Sequence, residues 1–62
     1  ISYRSVGENI AYGQNSPEAV MQSWMNSSGH RANILNRDFT SIGVGHYQDA
    51  SGTDYWTQLF IK

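Results

Sequence analysis

No cysteine occurs among these 62 residues, so neither a disulfide framework nor a thiolate zinc site can hold the fold together. Whatever the chain forms must rest on packing and hydrogen bonds alone. That is demanding at this length, because a chain so short buries only about 60% of the surface its unfolded form exposes. Below roughly 70–80 residues one core rarely supplies more than about 3–5 kcal/mol. One domain is therefore the upper bound, and a marginal one. Two histidines, His30 and His46, leave only a sparse metal site. The basic residues Arg4, Arg31, Arg37 and Lys62 are scattered singly in a chain of net charge −1. They form no stripe for a phosphate backbone and no patch for anionic lipid, which excludes nucleic acid as a partner. No apolar run approaches the roughly 20 residues of a membrane-spanning helix. With Ile1 rather than Met in first place, the expectation is a processed or excised piece.

The pattern predicts loop, helix, short helix and hairpin. Residues 1–15 read as loop, with one short extended segment at residues 8–12. At Asn15-Ser16-Pro17-Glu18 the helix-start signals coincide: Ser16 caps, Pro17 suits the first helical position, and Glu18 favours the positive end of the dipole. Val20, Met21, Trp24 and Met25 form one apolar stripe. The helix is expected to end near Asn26, since Ser27-Ser28-Gly29 is poor helix material. Residues 30–35 allow one to two further turns, anchored by Ile34 and Leu35 and broken at Asn36-Arg37-Asp38. Residues 39–47 predict a strand with Ile42, Val44 and His46 on one face and the bare Gly43 and Gly45 on the other. Glycines so placed mark a bulge or a close approach of ligand or backbone. Residues 50–53 read as a turn and residues 55–61 as the second strand of a hairpin. So few elements are short of apolar cover, which points to partner surface beyond them.

Two residues stand in contexts suited to chemistry. Glu8, in Gly7-Glu8-Asn9-Ile10, and His30, in Ser28-Gly29-His30-Arg31, each follow a glycine, which permits a tight turn and close approach of a ligand. A glutamate and an imidazole brought together can ligate a divalent cation, orient a metal-bound water, or act as general acid and base. The plain alternative is a surface glutamate and a loop or capping histidine. Arg31 is a second-tier candidate as a positive group beside them, or a surface residue. His46 reads as half-buried and satisfied by a backbone carbonyl. Asp49 and Asp54 read as turn and edge residues. Trp24, Trp56, Tyr47 and Tyr55 read as core and hairpin packing.

Taken together, five segments resemble the CAP superfamily of cysteine-rich secretory, antigen 5 and pathogenesis-related 1 proteins, and its bacterial SCP-like extracellular branch in particular. They are Gly7-Glu8-Asn9-Ile10-Ala11, Ser16-Pro17-Glu18 leading to Trp24-Met25-Asn26-Ser27, Gly29-His30-Arg31-Ala32-Asn33-Ile34-Leu35, Phe39-Thr40-Ser41-Ile42-Gly43-Val44-Gly45, and Tyr55-Trp56-Thr57-Gln58-Leu59-Phe60. Order and spacing agree along nearly the whole chain. The lack of cysteine fits the bacterial branch. The resemblance implies an α+β fold, the C-terminal portion of an α-β-α sandwich whose N-terminal helices precede this chain. It also implies a cleft with two histidines and two acids that often holds a divalent metal, commonly zinc. Glu8 matches the first acid and His30 the second histidine. The second acid of the eukaryotic pattern falls on Ser27 and is absent, and the first histidine would lie upstream of Ile1.

Three functions compete on this reading. The preferred one is a secreted or cell-surface binding module whose cleft, with Glu8 and His30, takes a small ligand, a divalent metal or a cell-surface partner. The alternative is an extracellular hydrolase of peptide or cell-wall glycan that uses the same two residues as acid and base or as metal ligands. In the third, Glu8 and His30 are a hydrogen-bonded pair with a purely structural role. Zinc is expected to bind the complete domain, and only weakly these 62 residues. The core is expected to need the upstream segment or self-association.

Overall fold

A computed structural model of the chain describes residues 5–62, so residues 1–4 of the expected N-terminal loop, Arg4 among them, lie outside the described residues. The elements follow in the order β1 (Val6–Tyr12), α1 (Pro17–Met25), α2 (Ser28–Leu35), β2 (Ser41–Gln48) and β3 (Asp54–Ile61). The hairpin forms as expected. The predicted extended segment, however, is a full seven-residue strand, and it joins the hairpin in a three-stranded antiparallel sheet of order β1-β3-β2. The last strand is therefore central, paired to the first with Asn9 opposite Gln58 and to β2 with Val44 opposite Gln58.

Helix α1 starts where its sequence dictates: the Ser16 side chain accepts from the Ala19 N–H at 3.1 Å, and Pro17 opens the first turn. Val20 and Trp24, one helical turn apart, are buried against Trp56, with Ala11 and Ile34 packed at the margin. Met21 and Leu35 were expected in the core, yet both are exposed. Each sits about 100° around its helix from the residue that is packed, Val20 or Ile34. Ser27-Ser28-Gly29 does not hold the helices apart either. The chain turns at Asn26 and Ser27, and α2 already begins at Ser28 with Gly29 inside it.

The helices cover one sheet face, presented by Asn9, Ala11, Trp56 and Phe60, but not as far as β2. Ile42 and Val44 share that face and are 57% and 71% exposed. His46, expected half-buried, stands beside them and is exposed as well. Among the described residues nothing approaches within 4 Å of a Cβ built on Gly43 or Gly45, so neither marks a close contact there. The opposite face carries Val6, Ile10 and a cross-strand row of tyrosines, Tyr12, Tyr55 and Tyr47, all exposed. Their ring centroids lie 6.1 and 6.3 Å apart, so these tyrosines pack on one another and not in a core.

The hairpin turn is fixed by Gly52, at φ +88°, and by Asp49. The Asp49 carboxylate accepts from the Thr53 and Ser51 N–H groups at 3.0 and 2.9 Å and from the Tyr55 hydroxyl at 3.1 Å. The Thr53 bond foremost holds the Asp49 carboxyl below its usual range, and Asp49 in turn pushes the Tyr55 hydroxyl up.

Gly7 is the glycine whose missing side chain matters most. A Cβ there would stand 2.9 Å from Phe39 Cζ and 3.1 Å from Asn33 Oδ1, and Phe39 is itself stacked on Phe60 at 5.5 Å. Gly7→Ala is expected to lower stability by about 1–3 kcal/mol through overpacking. Urea unfolding at parent stability would contradict this.

Candidate functional site

Glu8 lies on β1 and His30 in the first turn of α2. Strand alternation puts Glu8 on the face with Val6 and Ile10, while its neighbour Asn9 turns toward the helices. Asn9 is fully buried. Its Nδ2 donates to the His30 carbonyl and to Gln58 Oε1, both at 3.1 Å, and its Oδ1 accepts from Asn33 Nδ2 at 3.0 Å. Asn33 Nδ2 also donates to the Glu8 carbonyl at 3.3 Å. Gln58, buried too, passes its own N–H to Met21 Sδ at 3.4 Å. Every polar atom of Asn9 is thereby satisfied, as burial requires. The network fastens the strand segment bearing Glu8 to the helical turn bearing His30.

The His30 ring is oriented by Ser27, whose Oγ lies 2.8 Å from Nδ1. Ser27, the position at which the resemblance finds no acid, thus gives the imidazole a hydroxyl partner. If Nδ1 carries the proton and donates to Ser27, Nε2 keeps its lone pair for a cation or an incoming proton.

Glu8 and His30 share no hydrogen bond and no ion pair, so the directly bonded structural pair is not formed. Among the described residues the Glu8 carboxylate has no hydrogen-bond partner, and Arg31 is exposed with no side-chain hydrogen bond. His46 departs from expectation: its Nε2 meets Asp54 Oδ1 at 2.7 Å, and its ring stacks on Trp56 at 4.0 Å. A carboxylate, not a backbone carbonyl, satisfies it. No three His, Cys, Asp or Glu side chains converge among the described residues. An open hollow of about 260 Å³ lined by Ile34, Phe39, Ile42 and Phe60, among others, includes neither Glu8 nor His30.

Glu8 and His30 stand out in the sequence, whereas Asn9 and Asn33 do not. Their one signal was position: Asn9 falls between Gly7 and Ala11 on the inward side of the strand, where a polar residue demands a partner.

The family model of the cysteine-rich secretory protein family, CAP, matches residues 1–60. The chain belongs to the CAP family. Over 61 residues this CAP chain is 59% identical to a Bacillus subtilis (strain 168) protein named "Uncharacterized protein YkwD", a match covering 98% of the chain and 23% of that relative. It is 42% identical over 62 residues to "Uncharacterized membrane protein YlbC" of the same organism, covering all of the chain and 16% of the relative. The chain thus spans less than a quarter of the length of either. No solved structure matches it significantly. Among the described residues no helix is long and apolar enough to cross a membrane.

Proposed function

We propose that this CAP domain works outside the cell as a binding module, in which Glu8 and His30 receive a small ligand or a divalent cation. The observation that carries the reading is the buried Asn9 bridge, which spends a fully satisfied polar network on holding the backbones of those two residues together. A network of this kind fixes a site more firmly than surface residues need. The donor types suit a borderline cation such as zinc, Nε2 from His30 and a carboxylate oxygen from Glu8. Strand alternation, however, sets Glu8 on the face away from the helices, so a shared ligand would have to reach both around the β1 edge. Bound zinc would supply a Lewis-acid anchor for a carbonyl or anionic oxygen of the ligand. Two protein donors fall one short of the three that open zinc sites present, so a further ligand must come from outside these residues.

Calorimetric and NMR titration of the 62 residues with zinc is expected to give a dissociation constant weaker than about 1 μM. The His30 ring and the backbone around Glu8 should shift together. Glu8→Gln and His30→Ala should each weaken binding by about tenfold or more while thermal unfolding stays close to the parent's. Zinc uptake unchanged in both variants would sink the proposal. A tight one-to-one site lost in His30→Ala would show instead that the ligand set is complete within this chain.

A further inference from the structure

The two edges of the sheet are treated differently. The phase of the ladder follows from two bonds: Gly13 N–H to the Asp54 carbonyl at 2.8 Å, and Asp49 N–H to the Thr53 carbonyl at 3.0 Å. Bonded pairs recur every second residue in an antiparallel ladder. In β1 the odd-numbered residues therefore bond to β3, and the even-numbered Glu8, Ile10 and Tyr12 point their backbone groups outward. The helices close this edge: Asn33 takes the Glu8 carbonyl at 3.3 Å and Trp24 Nε1 takes the Ile10 carbonyl at 3.4 Å. In β2 the outward groups belong to Ile42, Val44, His46 and Gln48, and among the described residues nothing bonds to them. All eight β2 residues are exposed, and the strand carries no proline and none of Asp, Glu, Lys or Arg. The usual devices that blunt an edge are missing.

We propose that β2 is the surface through which two copies of this chain associate, pairing antiparallel about a two-fold axis at Gly45. An open edge accepts another strand by completing its ladder. With the axis at Gly45 all four outward residues find partners, Val44 opposite His46 and Ile42 opposite Gln48 of the second copy. On the other face Tyr47 lies opposite Gly43 of the second copy. The bare glycine, with open space where its side chain would be, accommodates the exposed ring. Gly45 meets its own counterpart on the axis, where unbonded antiparallel pairs approach most closely. The strand brings no formal charge to the contact and the chain carries only −1, so like charges do not oppose a second copy.

Analytical ultracentrifugation and amide exchange on purified protein carrying this sequence test the proposal. Dimer should accumulate with concentration, and the amides of Ile42, Val44, His46 and Gln48 should gain protection in step with it. Val44→Lys should raise the dissociation constant at least about tenfold. Val44→Pro, which removes an outward N–H that β3 does not use, should do the same, with near-ultraviolet dichroism of the monomer unchanged. Tyr47→Ser should weaken association by a smaller factor. A monomer at every concentration overturns the proposal. So does protection of those four amides without self-association, which would mean a foreign strand or another segment of the same protein, and so does association that Ile10→Lys abolishes while Val44→Lys leaves it intact. The amide readout needs no variant, so it decides the matter even if a Val44 substitution fails to fold.

Discussion

Trp24→Ala is expected to unfold the chain at room temperature. Trp24 is 3% exposed and joins Val20 and Trp56 in the cluster that fastens α1 to the sheet. Its indole N–H also closes the β1 edge at the Ile10 carbonyl. Truncating a buried tryptophan to alanine costs about 3–5 kcal/mol. A core of this size supplies about the same in total, and among the described residues no second buried cluster stands beside it to absorb the loss. Trp24→Phe keeps most of the apolar contact and gives up one long hydrogen bond, so about 1 kcal/mol should suffice to describe it. Far-ultraviolet dichroism with urea titration separates the two. A cooperative transition in Trp24→Ala would show that the cluster around Trp56 is not what holds the helices down.

Asn9→Asp is expected to cost about 3 kcal/mol or more and to release α2 from the sheet. The amide nitrogen that now donates to the His30 carbonyl and to Gln58 Oε1 becomes an oxygen facing two acceptors in a buried place. Asn33→Ala removes a donor at the rim of the same network, from the Glu8 carbonyl and Asn9 Oδ1. Water can replace part of that, so about 1 kcal/mol is expected. The informative readout is the His30 ring resonance, which should move in Asn9→Asp even under conditions that keep the sheet intact. Near-parent stability with an unmoved His30 ring would mean that the bridge does not set the site.

Both expectations rest on residues whose importance differs in how far it can be read from sequence. Trp24 declares itself, because it falls one turn after Val20 in a helix whose start is written in Ser16 and Pro17. Asn9 does not. Its strand puts Gly7, Asn9 and Ala11 toward the helices, a small and polar set that marks only residues 8–12 as a short extended segment and leaves the full strand unannounced. It is a strand because β3 has a second edge to offer, and that edge lies almost fifty residues away along the chain.

The same division runs through the candidate site. Glu8 and His30 stand out as reactive residue types after glycines, and their motifs mark the CAP family. Their relation could not be read, since it depends on an asparagine bridge between a strand and a helix, and on Ser27 turning its hydroxyl to the imidazole in place of capping α2. By itself the sequence determined the capped helix, the hairpin with its turn at residues 50–53, the lack of covalent staples and the family. These are local matters, settled by φ/ψ preference, capping and short-range periodicity. Only the tertiary structure decided that the extended segment is a full strand paired to β3, that Ile42 and Val44 face solvent, that His46 pairs with Asp54, and that one sheet edge is closed and the other open. Each of those depends on which distant groups meet, and hydrogen bonds and burial between distant segments leave no periodic trace in the chain.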